Sequence, residues 1–310
     1  MSIAFVFPGQ GAQTIGMGRD LAEAYPEARA VFQEVDDALG EKLSDLIWEG
    51  DIETLTLTQN AQPALMATSM AAMAALKAEG IEVGKAAYVA GHSLGEYSAL
   101  CAAGSLSLAD TARLLRIRGK AMQAAVPVGE GAMAAILGLG IEETEKLAEA
   151  AAEGEVCQVA NENDPSQNVL SGHKAAVERA VAMAKDAGAK RALLLPVSAP
   201  FHCPLMGPAA DEMARALGEV TFNDPAVPLV ANVTAQAVTD AAKFRELLVE
   251  QVTGRVRWRS SVEWMAAQGV TEAWEIGAGK ALSGMIRRID KSLATRSIGT
   301  PDEVTAVKET

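Results

Sequence analysis

A serine in a glycine-rich turn is the residue of this chain best suited to do chemistry. Ser93 is the central residue of a Gly-x-Ser-x-Gly pattern, which follows the apolar run 86–90 and precedes the helix-like run 97–103. A strand, this pattern and then a helix form a nucleophile elbow, in which a sharp turn exposes the serine hydroxyl. The hydroxyl then lies at a helix N-terminus, where backbone N–H groups favour a developing oxyanion. The sequence predicts a nucleophilic serine, with an ordinary glycine-rich turn as the alternative.

A serine hydroxyl becomes a good nucleophile when a base accepts its proton, and the chain has three histidines. His92 adjoins Ser93, and neighbouring side chains diverge in a tight turn. His173 lies in what looks like the first turn of an amphipathic helix, where it would be solvated. His202 follows the strand-like run 192–197, and catalytic groups gather at the carboxyl ends of strands in open α/β sheets. By elimination we expect His202 to be the base, with a structural loop histidine as the alternative.

No acidic residue stands out as the third member of a catalytic triad. In α/β-hydrolases the acid lies between the serine and the histidine along the chain, and no Asp or Glu between Ser93 and His202 is marked by its surroundings. A backbone carbonyl can also hold a histidine tautomer by accepting its second ring N–H. We therefore predict a Ser–His dyad with a main-chain carbonyl behind the histidine.

Five motifs occur in an order that resembles a known family. They are FPGQGAQ at 7–13, GHSLGE at 91–96, the arginine segment 116–119, GAMAAI at 131–136 and PFH at 200–202. In this order the chain resembles the bacterial malonyl-CoA:acyl-carrier-protein transacylases, of the acyltransferase family of fatty-acid and polyketide synthesis, over almost its whole length. The resemblance implies transfer of a malonyl group from malonyl-CoA to the phosphopantetheine thiol of acyl carrier protein. It implies a malonyl-serine intermediate, a role in supplying extender units for fatty-acid synthesis, and no cofactor.

The resemblance also implies roles for individual residues of the site. Ser93 would be the acylated nucleophile and His202 the base. The backbone N–H groups of Gln10 and Leu94 would form the oxyanion hole. The backbone carbonyl of Gln251 would orient His202 and so replace the missing acid of the triad.

Two further side chains bear on the choice of substrate. The resemblance assigns Arg118 to the free carboxylate of the malonyl group, and a guanidinium pairs with a carboxylate through two parallel hydrogen bonds that lysine cannot copy. The alternative is one solvated cation among several on the helix predicted over 107–124. Arg116, two residues away, faces another side of that helix and should not substitute. Phe201, beside the base, either fills the space that an α-methyl group would need or is a core residue.

The order of elements predicts an α/β fold in two parts. Apolar strands at 3–7 and 86–90 alternate with helical stretches near 16–39, 61–79, 94–103 and 107–124, which indicates a parallel sheet. The segment from 128 to 197 runs strand, helix, strand, strand, helix, strand, with the strands at 133–138, 156–161, 168–171 and 192–197. That order is typical of a ferredoxin-like unit. Strands at 227–232 and 273–275 return to the larger sheet.

We therefore predict an α/β-hydrolase-like catalytic domain over 1–127 and 198–310. A ferredoxin-like (βαββαβ) subdomain is inserted over 128–197. The site should lie in the cleft between the two parts, since the nucleophile comes from the large part and the base from the junction. The polar residues 300–310 are expected to fray.

Composition limits the class of protein. With 310 residues, of which 49% are hydrophobic, the chain can bury one large core or two modest ones, and its net charge of −13 argues against a nucleic-acid binder. No apolar run approaches the roughly 18 residues of a membrane span, and the first residues resemble a strand, not a signal peptide. Three widely spaced cysteines indicate free thiols in a reducing compartment. We expect a cytoplasmic enzyme without a metal site and without membrane or nucleic-acid partners.

The acidic charge also bears on the implied carrier. Acyl carrier proteins are acidic, so the two partners would repel overall and docking would need local basic patches. Three basic clusters are candidates, each with ordinary solvated charges as its alternative: Lys190 with Arg191; Arg255, Arg257 and Arg259; and Arg287 and Arg288 with Lys291. We predict that at least one of them docks the carrier.

Other functions stay open at this stage. A serine hydrolase or thioesterase would use the same Ser–His pair and release free malonate. A non-catalytic scaffold on the same fold would leave Ser93 unlabelled. Among transferases, a discrete acyltransferase that serves a polyketide synthase is also possible.

Overall fold

Two sheets organise the computed structural model of the chain, which describes residues 2–197 and 199–308. The strands are β1 (Ile3–Phe7), β2 (Tyr88–Gly91), β3 (Gly131–Leu137), β4 (Cys157–Asp164), β5 (Gln167–His173), β6 (Arg191–Leu194), β7 (Leu229–Val230), β8 (Ala237–Val238), β9 (Glu272–Ile276) and β10 (Ala294–Ile298). The α-helices are α1 (Arg19–Ala24), α2 (Pro26–Leu39), α3 (Leu43–Glu49), α4 (Ile52–Thr56), α5 (Thr58–Ala78), α6 (Gly95–Ala102), α7 (Leu108–Ala124), α8 (Ile141–Ala152), α9 (Lys174–Met183), α10 (Gly207–Gly218), α11 (Ala241–Thr253), α12 (Trp258–Ala267), α13 (Ala281–Ile289) and α14 (Pro301–Lys308).

The larger sheet has six strands in the order β10-β9-β1-β2-β7-β8, and every pairing except β7–β8 is parallel. All five residues of β1 are buried, as expected for an apolar strand with helices on both faces of its sheet. In the register of β1 and β2, Phe7 lies opposite Gly91. The loops that carry Gln10 and Ser93 therefore leave the sheet side by side at its carboxyl edge, where ligands bind in open α/β sheets.

The smaller sheet has four antiparallel strands in the order β4-β5-β3-β6. Its elements follow the chain as β3-α8-β4-β5-α9-β6, which is the ferredoxin-like order. Ile136, Leu147, Leu170 and Ala180 belong to a buried cluster of its own between the sheet and its helices. The predicted fold class is confirmed: an α/β-hydrolase-like part with a parallel sheet and an inserted ferredoxin-like part.

Backbone hydrogen bonds join the edge strand β4 of the smaller sheet to a loop of the larger part of the chain. Val256, in the loop between α11 and α12, donates to Ala160 O at 2.9 Å and accepts from Glu162 N at 2.9 Å. Close by, Arg288 Nε on α13 donates to the buried Asp164 at 2.7 Å. These contacts fix one wall of the cleft relative to the other.

Several sequence expectations need correction. Residues 301–308 form helix α14 instead of fraying, because Pro301 starts the helix and Val304 and Val307, three residues apart, are buried on one face. The helical stretch expected from residue 16 begins at Arg19 and breaks before Pro26, which has no N–H to continue α1. The strand expected over 227–232 is only the two-residue β7.

The last strand of the small unit, expected over 192–197, is β6, which ends at Leu194. Helices α3 and α4 were not foreseen. The domain boundaries at 127/128 and 197/198 stay a prediction, and residues 198, 309 and 310 lie outside the described residues.

Candidate active site

The elbow around Ser93 forms because its two glycines allow close backbone contacts. A Cβ atom on Gly91 would lie 2.0 Å from the backbone of Gly95, and one on Gly95 would lie 2.2 Å from Phe7 O. Between them Ser93 has a φ of 54°, in the left-handed region that residues other than glycine rarely adopt. The turn places the serine between β2 and the first residue of α6.

His202 lies against the nucleophile. Its Nε2 is 2.7 Å from Ser93 Oγ, and its Nδ1 is 2.8 Å from the backbone oxygen of Gln251. Because a carbonyl can only accept, Nδ1 carries the proton and Nε2 is free to accept the serine hydroxyl hydrogen. Burial, and then the positive charge of Arg118, lowers the pKa of His202 to about 3. The imidazole is therefore neutral at neutral pH, as a general base requires.

The other two histidines lie in structural positions. His92 Nε2 is 2.9 Å from Asn163 Oδ1, and burial lowers the pKa of His92. His173 precedes α9, as expected, but it is only half exposed and its Nδ1 accepts a hydrogen bond from Val156 N at 2.9 Å. The buried thiol of Cys203 donates to Pro200 O at 3.1 Å, and burial raises its pKa, so it is not a thiolate.

Arg118 is buried at the base of the cleft, with 1% of its surface exposed. Its Nη1 donates to Gln62 Oε1 at 2.7 Å. Its Nη2 donates to Gln251 Oε1 at 2.8 Å and to Ser93 Oγ at 3.1 Å. The alternative of a solvated helix cation is therefore wrong. Burial lowers the pKa of Arg118, but an arginine keeps its proton near neutral pH because its reference pKa is so high.

Arg116, on the same helix, points to other partners. Its Nη1 donates to Gln59 O at 2.6 Å and to Asn60 Oδ1, and its Nη2 pairs with Glu41. Residues two positions apart on a helix point in directions about 200° apart around its axis. This explains why only one of these two arginines reaches Ser93.

The remaining expected residues line one cleft of about 380 Å³. It is lined by Gln10, Leu94 and Phe201, together with Ser93, His202 and Arg118. Neither the N–H of Gln10 nor that of Leu94 donates to any residue that the structure describes. Phe201 lines the cleft and is 9% exposed within the hydrophobic core. The expectation that its ring fills the space of an α-methyl group stays a prediction.

Sequence reasoning missed three amide and carboxyl side chains that hold the elbow. Asn232 Oδ1 accepts from Ser93 N at 2.8 Å, and its Nδ2 donates to Gly91 O at 2.6 Å. Gln251 Nε2 donates to Ser93 O at 2.9 Å and to Glu96 Oε2 at 2.7 Å. The position of Asn232, at the carboxyl end of a strand beside β2, was a usable signal. Nothing local marked the side chain of Gln251, which lies in the last turn of the amphipathic helix α11.

A nucleophile elbow, a neutral histidine in contact with its serine and a cleft between two sheets define an α/β enzyme that forms acyl-serine esters. Comparison with protein families matches residues 4–286 to the family described as "Acyl transferase domain". The malonyl CoA-acyl carrier protein transacylase of Escherichia coli (strain K12) is 50% identical over 307 residues, which cover 99% of this chain and 98% of that protein.

Solved structures agree. The acyl-carrier-protein-S-malonyltransferase from Bartonella henselae is 57% identical with a TM-score of 0.98, over 100% of this chain and 99% of that one. A malonyl-transacylase in complex with its type II PKS acyl-carrier protein is 42% identical with a TM-score of 0.96, over 100% and 99% of the two chains. The chain belongs to the acyl transferase family, among its malonyl-CoA:acyl-carrier-protein transacylases.

Proposed function

We propose that this protein transfers the malonyl group of malonyl-CoA to the phosphopantetheine thiol of an acyl carrier protein and so supplies extender units for fatty-acid synthesis. The observation that carries the proposal is the buried guanidinium of Arg118, 3.1 Å from the nucleophilic oxygen of Ser93. An acyl group bound at this serine places its far end beside a positive charge, which suits an acyl group with a free carboxylate.

Acylation follows from the contacts of Ser93. His202 Nε2 accepts the hydroxyl proton as Oγ attacks the thioester carbonyl. The backbone N–H groups of Gln10 and Leu94 donate to the resulting oxyanion, and the Gln251 carbonyl holds the imidazolium through Nδ1. When the intermediate collapses, the C–S bond breaks and the coenzyme A thiolate takes the proton from His202.

The second half-reaction reverses these steps with a different thiol. The carrier thiol gives its proton to His202 and attacks the malonyl-serine ester. The intermediate collapses to a carrier thioester, and Ser93 recovers its proton. Because the acyl group stays on the enzyme between the two thiols, the kinetics are ping-pong.

Arg118 retains donors for the malonyl carboxylate. A guanidinium has five N–H groups, of which Nη1 uses one on Gln62 and Nη2 uses two on Gln251 and Ser93. Nε has no hydrogen-bond partner among the described residues, and Nη1 makes its one hydrogen bond to Gln62. The contact of Nη2 with Ser93 is released when the serine oxygen becomes an ester. The guanidinium therefore has N–H donors left for one carboxylate.

We propose that the carrier docks on the three basic clusters. Their cations differ in whether they already form ion pairs within this chain. Arg255, Arg259 and Arg288 make ion pairs with acidic residues of this chain. Five cations are exposed and make no ion pair with any described residue: Lys190, Arg191, Arg257, Arg287 and Lys291. We assign carrier docking to these five.

We also propose a cytoplasmic location. The three cysteines Cys101, Cys157 and Cys203 are free thiols, which is typical of a reducing compartment. Among the described residues, no helix combines the length and apolar character needed to cross a membrane.

Intact mass spectrometry tests the function. The protein is mixed with malonyl-CoA, and its mass is recorded before and after addition of holo acyl carrier protein. We expect a malonyl adduct that is absent from Ser93→Ala and that moves to the carrier. Free malonate formed at the same rate with and without carrier would instead identify a hydrolase, and the absence of any adduct would reject acyl transfer from malonyl-CoA. Carriers from fatty-acid and polyketide systems, compared side by side, identify the pathway served.

A further inference from the structure

Glu96 is a buried carboxyl group that the mechanism above does not use. It lies in the first turn of α6, three residues after the nucleophile, and is 1% exposed. Its Oε2 accepts hydrogen bonds from Gln251 Nε2 at 2.7 Å and from Asn232 N at 3.3 Å. Its Oε1 has no hydrogen-bond partner among the described residues. A carboxyl buried with one oxygen unsatisfied is unfavourable for folding, so its position calls for a functional explanation.

The contact with Gln251 determines which way that amide faces. A carboxylate oxygen accepts hydrogen bonds, and a guanidinium only donates them. Glu96 therefore selects the orientation in which Nε2 faces the carboxyl, and this turns Oε1 toward Arg118 Nη2, 2.8 Å away. With the amide reversed, two oxygens would meet at Glu96 and two donors would meet at Arg118.

The same carboxyl oxygen binds both residues whose side chains hold the strained serine. Gln251 Nε2 donates to Ser93 O at 2.9 Å, and Asn232 Oδ1 accepts from Ser93 N at 2.8 Å. Glu96 Oε2 accepts from the side chain of the first and from the backbone of the second. Through Gln251 and Asn232, Glu96 Oε2 thus links the peptide groups on either side of Ser93 to the guanidinium of Arg118.

We infer that Glu96 is a positioning residue for acyl-group selection: its carboxyl oxygen fixes the Gln251 amide, which holds Arg118 in the orientation that receives a malonyl carboxylate. Glu96 itself touches no substrate. The inference rests on the proposed function, and it extends selection to a residue that lies behind the binding groups. Preference for malonyl over acetyl then depends on an acceptor oxygen at position 96.

Two variants distinguish the role of Glu96 as a hydrogen-bond acceptor from the role of its charge. Glu96→Gln keeps an oxygen that accepts from Gln251 and Asn232, and its NH₂ group replaces the unpartnered Oε1. Glu96→Leu has a similar volume and no acceptor. The measured quantity is the ratio of kcat/KM for acylation by malonyl-CoA to that by acetyl-CoA. Both values come from one protein sample, so a loss of folded enzyme does not change their ratio.

We expect the ratio of Glu96→Gln to stay within about threefold of the wild type, and that of Glu96→Leu to fall by about tenfold or more, as for loss of one hydrogen bond to a charged group. Gln251→Ala keeps the backbone carbonyl that orients His202 but removes the amide. It should lower the ratio as Glu96→Leu does, and it tests the inference even if Glu96→Leu does not fold.

Three results would overturn the inference while leaving the proposed function intact. They are an unchanged ratio in Glu96→Leu, an unchanged ratio in Gln251→Ala, and a fall in Glu96→Gln as large as in Glu96→Leu. The last would mean that the charge matters and not the acceptor. A wild-type protein that forms no malonyl adduct would overturn the proposed function, and this inference with it.

Discussion

Replacement of Arg118 by alanine gives the most direct test of how the site selects its acyl group. The side chain is 1% exposed, and its guanidinium reaches the nucleophilic oxygen at 3.1 Å. A malonyl carboxylate brought to this place without the guanidinium would be a buried, unpaired charge, which costs about 3–5 kcal/mol. Since about 1.4 kcal/mol corresponds to tenfold in rate, we expect kcat/KM for malonyl-CoA to fall by about 10²- to 4 × 10³-fold.

An acetyl group has no carboxylate and should not share this loss. The assay is single-turnover acylation with an equimolar mixture of malonyl-CoA and acetyl-CoA, read as the two adduct masses on one protein sample. The malonyl-to-acetyl ratio should fall by about the same 10²- to 4 × 10³-fold, because the loss is confined to the carboxylate. Arg118→Lys keeps the charge without the planar fork, so its ratio should lie between those of the wild type and Arg118→Ala.

The matched control is Arg113→Ala. Arg113 lies on the same helix, is exposed and pairs with Asp110 at the surface, so its removal should leave the ratio unchanged. A ratio in Arg118→Ala within about threefold of the wild type, with a folded circular dichroism spectrum, would refute the assignment of Arg118 to the carboxylate, since that difference is below about 1 kcal/mol.

Three further outcomes are expected. Gly95→Ala should lower the free energy of unfolding by about 1–3 kcal/mol or more in urea titrations, because its Cβ would lie 2.2 Å from Phe7 O, whereas Gly84→Ala, with open space around it, should not. Charge reversal of the five unpaired cations assigned to docking should raise KM for the carrier by about tenfold or more at low salt. Lys77→Glu, at an exposed position, is the control. An unchanged KM after the five reversals would reject docking through these cations. Burial raises the pKa of Glu96 from its ordinary value of 4.5 to about 7, so its ionisation weakens the fold as pH rises between these two values. Relative to the wild type, Glu96→Gln should therefore gain up to about 3 kcal/mol of stability between pH 4.5 and 8, and a pH-independent difference would contradict the raised pKa.

The parts of the fold that the sequence predicts well are those with strong local signals. The run IAFVF of β1 is apolar throughout because the strand is buried on both faces. The elbow is readable because its two glycines are required by backbone contacts only a few residues away. The sequence does not predict helix α14, because its buried apolar face consists of only Val304 and Val307 within a polar segment. Burial of that face comes from tertiary packing, which a short window does not contain.

The candidate site also contains some residues that the sequence identifies and others that it does not. Ser93 is identified by its own turn, and His202 by elimination among three histidines. The spatial arrangement of Arg118, Asn232 and Gln251 depends on three separate elements that meet only in the folded chain. Family resemblance supplied the backbone role of Gln251, but no property of the sequence near residue 251 indicates that its side chain binds both Ser93 O and Arg118.

The backbone of the two reacting residues shows why such a network is needed. Ser93 and His202 both have positive φ, of 54° and 57°, and each such residue is strained by about 1–3 kcal/mol relative to ordinary backbone. Strain of this kind persists only when the surroundings hold the residue in place from several sides. Asn232 and Gln251 bind the peptide groups on either side of Ser93, and Gln251 O binds the His202 ring. The side-chain amides of Asn232 and Gln251 take no part in the chemical steps, but they maintain the backbone geometry that those steps need. Loss of either amide should therefore impair the reaction before it unfolds the protein.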